Sequence, residues 1–195
     1  VVGLDTLVHV ANGIRENCPN DEQHALFALP DFIQKMMENK WLGSKTGQGF
    51  YKKQKNEAGV SEILSLDLNT LEYRASKRAK FATLEKTKTI ENVSDRFPIL
   101  IAGTDKAGAF YQKSFGMLFA YVSHRIPEIS DSLYKIDDAM KAGFGWEHGP
   151  FEIWDAIGID KGIELAEAQG QKVAPWVSEM KASGQTQFYS IQSGA

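Results

Sequence analysis

A glycine-rich segment around Lys45 has residue types that could bind a phosphate group. Gly43, Ser44, Lys45 and Thr46 are the kinds of residue that end a phosphate-binding loop, where backbone N–H groups and a lysine hold a nucleotide. The required Gly-x-x-x-x-Gly-Lys-Ser/Thr spacing is absent, because Ser44 separates Gly43 from Lys45, and no strand pattern precedes the segment. The sequence therefore argues against a nucleotide site here.

The residues that follow Lys45 favour a structural turn. Gly47 and Gly49 permit a tight return of the backbone that larger residues resist. We expect Phe50 and Tyr51 to anchor the chain after this turn in the hydrophobic core. Lys45 then needs no role beyond that of a surface lysine.

Two pairs of neighbouring residues could perform acid–base chemistry. His148 follows Glu147, but adjacent loop residues usually point apart, so we expect a solvated or helix-capping histidine. Asp137 and Asp138 are interpreted as acids in the first turn of a helix and not as a catalytic carboxylate pair. No Gly-x-Ser-x-Gly segment or activated Cys–His pair supports a hydrolase.

Metal and nucleic-acid sites are not predicted. The four histidines show no His-x-x-x-His or His-Glu spacing, and Cys18 has no partner at ligand spacing. One cluster of basic residues is diluted by glutamates, and we interpret it as a solvated face instead of a nucleic-acid surface. Its members are Arg74, Lys77, Arg78, Lys80, Lys86 and Lys88.

Composition places the chain among ordinary globular proteins. Its 195 residues are 43% hydrophobic and 24% charged, which allows one large or two small cores. A net charge of −3 argues against nucleic-acid binding, and a single cysteine excludes an internal disulfide framework. No apolar run approaches the roughly 20 residues that span a bilayer. We expect a soluble protein of the reducing cytoplasm.

The elements that would position these residues are mainly helices. Residues 53–96 are a connector with a short extended piece and a helix around residues 70–85, and the only strand patterns lie there. A helix from Asp105 to Arg125 is apolar almost all round, which is typical of a central core helix. The other predicted helices cover residues 5–17, 30–38, 136–142, 150–154, 160–169 and 175–182.

Part of the sequence occurs twice in degenerate form. The first copy begins with Val-Gly-Leu-Asp at residues 2–5, which corresponds to Ile-Gly-Ile-Asp at residues 157–160. The order of later matches is kept while loop lengths differ, as in a diverged internal duplication. The second copy has a further stretch of helical pattern before this point. We therefore expect a first copy that is incomplete and a Val1 that is not a natural N-terminus. The later matches pair Pro30 with Pro175, Met36 with Met180, and Phe50 and Tyr51 with Phe188 and Tyr189.

These motifs together resemble the C-terminal domains of 3-hydroxyacyl-CoA dehydrogenases, which oxidise the 3-hydroxyl group in fatty-acid β-oxidation. The Lys-Thr-Gly-x-Gly-Phe-Tyr ending and the Gly-Pro-Phe-Glu element make the resemblance specific, and only the connector is unmatched. The tandem arrangement is similar to that of the longer, multifunctional members. The matching segments are residues 2–6, 42–51, 136–140, 143–152 and 158–160, with Asp155.

The resemblance implies an all-α protein with two tandem, related helical units of the kind found at the C-terminus of 6-phosphogluconate dehydrogenase. The end of a truncated first unit would cover residues 1–52, an irregular connector residues 53–96, and a second unit residues 97–195. In the family, an N-terminal Rossmann domain binds NAD and carries the catalytic histidine and its glutamate. This chain has no Gly-x-Gly-x-x-Gly segment, and residues 110–114 lack the asparagine that the family has on the corresponding helix. The resemblance assigns no catalytic or cofactor-binding residue and predicts that the fragment alone is inactive.

The resemblance also suggests contacts and partners. Lys45 or the basic connector could reach a CoA phosphate, and Gly149, Pro150 and Phe151 could form an apolar wall beside an acyl chain, although a structural role suits them better. The implied partners are acyl-CoA, the protein's own Rossmann domain and, through exposed helices of the first unit, a second copy. The alternative is a non-catalytic helical module for interaction or dimerisation.

Overall fold

The first two helices of the chain begin directly after a glycine and a proline, respectively. The computed structural model describes residues 2–57, 59–77 and 79–190. Helix α1, Leu4–Asn17, begins after Gly3, and helix α2, Asp31–Glu38, begins after Pro30. A proline suits a helix start because its φ is already fixed near the helical value. Short 3-10 helices occur at His24–Phe27 and Ser44–Thr46. The core between these elements contains the buried side chains of Leu4, Ile33, Met36 and Leu66.

An antiparallel three-stranded sheet follows, in the region predicted as an irregular connector. Its strands, in spatial order, are β1, Tyr51–Lys55, β2, Ser61–Leu66, and β3, Tyr73–Ala75. Tyr51 pairs with Ser65, and Leu64 pairs with Ala75. Along β2, Ile63 is exposed while its neighbours Leu64 and Leu66 are buried, which is the alternation of a half-buried strand. The predicted all-α class is therefore correct only as a mainly helical chain.

The helix predicted around residues 70–85 is wrong over most of its length. The Asp67 carboxylate accepts hydrogen bonds from the N–H groups of Asn69, at 3.0 Å, and Thr70, at 3.4 Å, and Leu71 has a φ of +60°. Such local side-chain bonds favour a turn over a helix. They close the hairpin between β2 and β3, and helix α3 covers only Ala82–Thr87.

The second set of helices surrounds one long helix, as predicted. Helix α5, Lys106–His124, follows α4, Arg96–Ile101, and Asp105 caps its start by accepting from the N–H groups of Ala107 and Gly108. Helix α5 packs against α3 and α4, and against two later helices, α7 (Pro150–Ile157) and α8 (Ile159–Glu167). Phe119 on α5 stacks on Trp154, with ring centroids 4.7 Å apart, at the centre of this core.

Helices α6 to α9 complete this part of the fold. They cover Leu133–Phe144, Pro150–Ile157, Ile159–Glu167 and Pro175–Ala182. Gly158 alone separates α7 from α8, with φ +97°, and the Trp154 indole N–H donates to the Ile159 carbonyl oxygen at 3.1 Å across this junction. Trp154 occupies the space left by Gly162, where an added Cβ would lie 1.9 Å from Nε1. Small residues therefore let these helices approach closely.

The chain forms two compact units, residues 1–78 and 79–195, hereafter unit 1 and unit 2. Their boundary falls within the segment predicted as a connector. No helix among the described residues has both the length and the apolar content needed to cross a bilayer.

Candidate functional site

Unit 1 contains an open, mainly apolar cavity of about 740 Å³. Its lining includes Leu7, Trp41, Phe50, Tyr51 and Ile63. Phe50 is 39% exposed and Tyr51 65% exposed, so the prediction that they anchor the chain in the core is wrong. Phe50 has one edge contact, with Phe32 on α2 at 6.4 Å between ring centroids, whereas Phe188 in unit 2 packs against both Phe151 and Trp154 of α7.

The glycine-rich turn forms one wall of this cavity. Gly43 and Gly47 have φ values of +111° and +78°, which L-residues with side chains rarely adopt. A Cβ on Gly49 would lie 2.9 Å from the backbone of Gly43, so the two ends of the turn touch. Thr46 Oγ1 closes the turn by accepting from the N–H of Leu42 at 3.0 Å. The structure thus supports the predicted tight turn.

Lys45 does not point a free ammonium group at the cavity. Its Nζ lies 2.5 Å from Oδ2 of Asp5, in the first turn of α1, and this hydrogen bond lowers the pKa of Asp5. A Cβ on Gly3 would lie 2.3 Å from Asp5 Oδ1 and 2.7 Å from the Lys45 side chain. The lysine is therefore held at a helix start, where the carboxylate also meets the positive end of the helix dipole.

Unit 2 contains a similar ion pair, although its lysine lies at the end of a helix and Lys45 lies in the 3-10 helix Ser44–Thr46. Asp160, in the first turn of α8, pairs with Lys181 at the end of α9. Gly184 follows with a φ of +91°, as Gly47 follows Lys45 in unit 1. Each unit therefore carries an aspartate–lysine pair that is followed by a glycine in the left-handed region.

Gly149, Pro150 and Phe151 lie in the interior of unit 2. Pro150 and Phe151 are fully buried, and a Cβ on Gly149 would lie 2.2 Å from Cβ of Asp137. Asp137 accepts from the N–H groups of Phe151, at 2.9 Å, and Glu152, at 3.0 Å. These two bonds satisfy free N–H groups at the start of α7.

The prediction that Asp137 lies in the first turn of its helix is therefore wrong. Helix α6 begins three residues earlier than predicted, at Leu133, so Asp137 lies farther along it and is 1% exposed. Its other partner is the Tyr189 hydroxyl, which donates to Oδ2 at 2.9 Å. Burial raises the pKa of Asp137.

A second buried carboxylate holds the same end of the chain. Asp155 accepts from the N–H groups of Phe188, at 2.7 Å, and Tyr189, at 3.0 Å, and burial raises its pKa. Phe188 packs against Trp154, with ring centroids 5.0 Å apart. Sequence reasoning missed this role of Asp155, although an aspartate next to the apolar residues of α7 is a signal for a buried, partnered carboxylate.

His148 lies between Ser94 and Glu152 and not beside Glu147. Its Nε2 is 3.2 Å from Ser94 Oγ, and its Nδ1 is 3.9 Å from Glu152 Oε2. Glu152 is already engaged by Lys141 Nζ and by the Gly149 N–H, each at 2.8 Å. The long Nδ1 distance lies beyond the reach of the hydrogen bond that a serine–histidine–acid triad requires.

The basic cluster behaves as a solvated surface. Arg74 lies 3.3 Å from Asp67, Lys88 lies 2.6 Å from Glu85, and Arg78 falls outside the described residues. Among the described residues there is no group of three His, Cys, Asp or Glu side chains that could hold a metal ion. The other members, Lys77, Lys80 and Lys86, are exposed.

Comparison with known proteins gives the family. The family described as "3-hydroxyacyl-CoA dehydrogenase, C-terminal domain" matches residues 115–188, from the middle of α5 to Phe188. A protein of Bacillus subtilis (strain 168) named "Probable 3-hydroxyacyl-CoA dehydrogenase" is 39% identical over 194 residues, which is 100% of this chain and 24% of that protein. A protein of Psychrobacter sp. (strain PRwf-1) named "Fatty acid oxidation complex subunit alpha" is 27% identical over 204 residues, 97% of this chain and 24% of that protein.

A further relative matches a shorter segment. It is a protein of Deinococcus radiodurans named "Probable 3-hydroxyacyl-CoA dehydrogenase", 44% identical over 55 residues, which is 28% of this chain and 15% of that protein. The chain thus spans about a quarter of the length of the first two relatives. The match over residues 115–188 contains the buried carboxylates and the Gly-Pro-Phe-Glu helix start of unit 2. The chain belongs to the 3-hydroxyacyl-CoA dehydrogenase family and carries that family's C-terminal domain.

Proposed function

We propose that the polypeptide containing this chain oxidises L-3-hydroxyacyl-CoA to 3-ketoacyl-CoA in fatty-acid β-oxidation, with NAD as the hydride acceptor. The observation that carries the proposal is the 39% identity, over the whole chain, to a relative named as a probable 3-hydroxyacyl-CoA dehydrogenase. The name of the Psychrobacter relative, a fatty acid oxidation complex subunit, supports the pathway. Because the chain covers a quarter of these relatives, the activity belongs to the longer protein.

NAD binding is assigned to residues outside this chain. A dinucleotide site of the Rossmann type needs a parallel strand–helix–strand unit with a glycine-rich turn at the start of the helix. The sheet of unit 1 is antiparallel, and its glycine-rich turn follows helix α2 and not a strand. The described residues do not fit the cofactor, so no step of the reaction is placed on them.

The contribution of this chain is to build helical domains around the reaction. We propose that units 1 and 2 derive from tandem copies, with residues 1–52 the end of one C-terminal unit, residues 53–96 a connector and residues 97–195 a second unit. The paired features Asp5–Lys45 and Asp160–Lys181 support this division.

Direct contact with the substrate is poorly supported for three of the residues that the sequence marks as candidates, Lys45, Pro150 and Phe151. Lys45 is engaged by Asp5, and Pro150 and Phe151 are fully buried. Gly47, Gly49, Phe50 and Tyr51 line the cavity of unit 1. We propose that any contact with acyl-CoA on that side is made by the turn at Gly47 and Gly49, because the rings of Phe50 and Tyr51 have the character of a packing surface. We also propose a cytoplasmic enzyme, in keeping with the exposed free thiol of Cys18.

The test is NAD-dependent oxidation of a short L-3-hydroxyacyl-CoA by the full-length protein and by residues 1–195, followed by absorbance of the reduced nicotinamide. We expect turnover by the full-length protein alone. Turnover by residues 1–195 would contradict the assignment of the NAD site elsewhere. A folded full-length protein that does not oxidise 3-hydroxyacyl-CoA with short, medium or long acyl chains would contradict the dehydrogenase proposal.

A non-catalytic interaction module is the second candidate, and the exposed apolar side chains of unit 1 favour it. The upstream coding sequence separates the two. A Gly-x-Gly-x-x-Gly segment between a strand and a helix would support the enzyme, and its absence would support the module.

A further inference from the structure

Helices α1 and α8 are counterparts that differ in what covers them, if the tandem relation proposed above holds. Each follows a glycine, Gly3 or Gly158, and each carries a first-turn aspartate paired with a lysine. No insertion interrupts either helix, so positions can be matched by counting from the two glycines. The comparison then shows which face of α1 lacks the cover that α8 has.

The two helices bury the same inner positions. Leu4 and its counterpart Ile159 are 7% and 4% exposed. Ala11 and its counterpart Ala166 are 7% and 0% exposed. Both helices therefore pack on their own units through the same stripe, and the match of positions is consistent in three dimensions.

A second stripe is buried on α8 and exposed on α1. Leu165 is 6% exposed, whereas its counterpart Val10 is 50% exposed. Gly162 is buried, whereas its counterpart Leu7 is 50% exposed. Val10 and Leu7 are therefore apolar side chains of the kind that a core usually buries, but they are exposed on α1.

Unit 2 shows what such a stripe packs against. Helix α7 places Trp154 on Gly162, where an added Cβ would lie 1.9 Å from the indole nitrogen. Helix α5 crosses α8 so closely that a Cβ on Gly116 would lie 2.3 Å from the Leu165 carbonyl oxygen. Helices α5 and α7 thus cover this stripe of α8, and α5 comes close because Gly116 has no side chain.

The aromatic pairs at the ends of the two repeats show the same difference. Phe188 and Tyr189 are partly buried, with the Phe188 ring 5.2 Å from that of Phe151, and the Tyr189 hydroxyl is bound to Asp137 on α6. Tyr51, by contrast, is 65% exposed. A phenol that lies beside an apolar stripe needs a polar partner when the stripe is covered.

We propose that the face formed by Leu7, Val10, Phe50 and Tyr51, here called the α1 face, binds a helical segment of the same polypeptide from outside residues 1–195. That segment is arranged as α5 to α7 are around α8. It brings a small residue to Val10 and a carboxylate to the Tyr51 hydroxyl. At Leu7 it carries a side chain smaller than tryptophan, because leucine fills the space that Gly162 leaves for Trp154.

The same polypeptide is favoured over a second copy or a ligand for two reasons. The cover of α8 is intramolecular, and α7 leads into it through the single residue Gly158. The first two relatives are about four times as long as this chain, so they have residues available for the same purpose. An acyl chain would satisfy Leu7 and Val10 but would offer no acceptor to the Tyr51 hydroxyl.

The test compares cysteine labelling in the full-length protein and in residues 1–195, read at each introduced cysteine by peptide mass spectrometry. Both proteins start from Cys18→Ser, which removes the one cysteine of residues 1–195. Leu7→Cys and Val10→Cys report on the α1 face. Asn12→Cys is the matched control, since Asn12 and its counterpart Glu167 are both exposed. We expect all three to react alike in residues 1–195. In the full-length protein, we expect Leu7→Cys and Val10→Cys to react at least about tenfold more slowly than they do in residues 1–195. The reason is that a label reaches covered side chains only after local opening.

Other results would overturn the proposal. Equal reactivity of all three cysteines in both proteins would show that nothing covers the α1 face. Protection in residues 1–195 that grows with protein concentration would assign the face to a second copy, and protection that requires added acyl-CoA would assign it to the ligand. Labelling needs no turnover, so an inactive full-length protein with a protected α1 face would contradict only the proposed function.

Discussion

The hydroxyl of Tyr189 donates a hydrogen bond to the buried carboxylate of Asp137, at 2.9 Å and 52 residues apart in sequence. The same carboxylate holds the N–H groups of Phe151 and Glu152 at the start of α7. One side chain on α6 thus joins the start of one helix to the last described turn of the chain. The order of unit 2 should depend on it more than on any exposed ion pair.

Replacing Asp137 with alanine should strongly destabilise unit 2. Asp137→Ala leaves two backbone N–H groups and a hydroxyl without their acceptor in a buried site, which should cost about 3 kcal/mol or more. The measurement is the free energy of unfolding in urea. Asp138→Ala, on the exposed side of α6, is the matched control and should change it by less than about 0.5 kcal/mol. Equal effects would contradict the central role of Asp137.

Tyr189→Phe should weaken unit 2 in a pH-dependent way. A hydrogen bond to a charged carboxylate contributes about 1.5–3 kcal/mol, and one to a neutral group contributes less. Burial raises the pKa of Asp137 above its usual 3.8, so the contribution of this group is present at low pH and is lost as pH rises through the raised pKa. The cost of Tyr189→Phe should be larger above this pKa, where the acceptor is a charged carboxylate, than below it, where the carboxyl group is neutral. Unfolding curves over a series of pH values test this, and a cost independent of pH would argue against a charged acceptor.

Asp105 should make unit 2 sensitive to acid. It accepts from the N–H groups of Thr83, Gly108 and Ala107, and these bonds lower its pKa to about 2. A lowered pKa contributes stability above the unfolded value of 3.8 that is lost as pH falls toward about 2. In Asp105→Asn, the fall in stability between these pH values should be smaller. Thermal unfolding over a pH series measures it, with exposed Asp131→Asn as a control that should follow the parent curve.

Two glycines of unit 2 should respond to alanine in opposite directions. Gly162→Ala drives a methyl group into the Trp154 ring, and overpacking costs about 1–3 kcal/mol, more than the gain of about 1 kcal/mol in helix propensity. Gly143→Ala, near the end of α6, meets nothing within 4 Å and should stabilise by up to about 1 kcal/mol. Urea unfolding measures both. A stabilising Gly162→Ala would mean that Trp154 does not fill this space.

If the proposed dehydrogenase function holds, Lys45→Ala should leave the affinity of the full-length protein for acyl-CoA unchanged. Its ammonium group is bound to Asp5, so its removal should lower the unfolding temperature of unit 1 without changing KM for acyl-CoA. Lys53→Ala is the comparison variant, because Lys53 lines the cavity of unit 1 and Lys45 does not. A KM raised about tenfold in Lys45→Ala, with an unchanged unfolding temperature, would place Lys45 on the CoA phosphates after all.

Helix periodicity and capping residues were enough to predict most helices. The long helix α5, with Asp105 before it, was predictable because its apolar residues recur at helical spacing and aspartate is a common cap. The hairpin at Asp67 was not, since its turn depends on side-chain bonds within four residues that compete with helix propensity.

The buried carboxylates were the larger omission. Two adjacent aspartates near a helix start usually face water, and only the path of α7 and of the Phe188–Tyr189 segment determines that Asp137 is enclosed. Phe50 and Tyr51 illustrate the opposite error. Aromatic residues after a glycine turn were expected to enter a core, yet whether they are covered depends on residues distant in sequence.

The junction at Gly158 limits how this fold can change over evolution. One residue separates α7 from α8, its φ is +97°, and the Trp154 N–H spans the junction to Ile159. A residue inserted at the start of α8 would shift this helix by one position, which turns its side chains by about 100° about the helix axis and moves Asp160 away from Lys181. This corner should therefore tolerate neither insertions nor deletions. Length variation among relatives should therefore accumulate on either side of it.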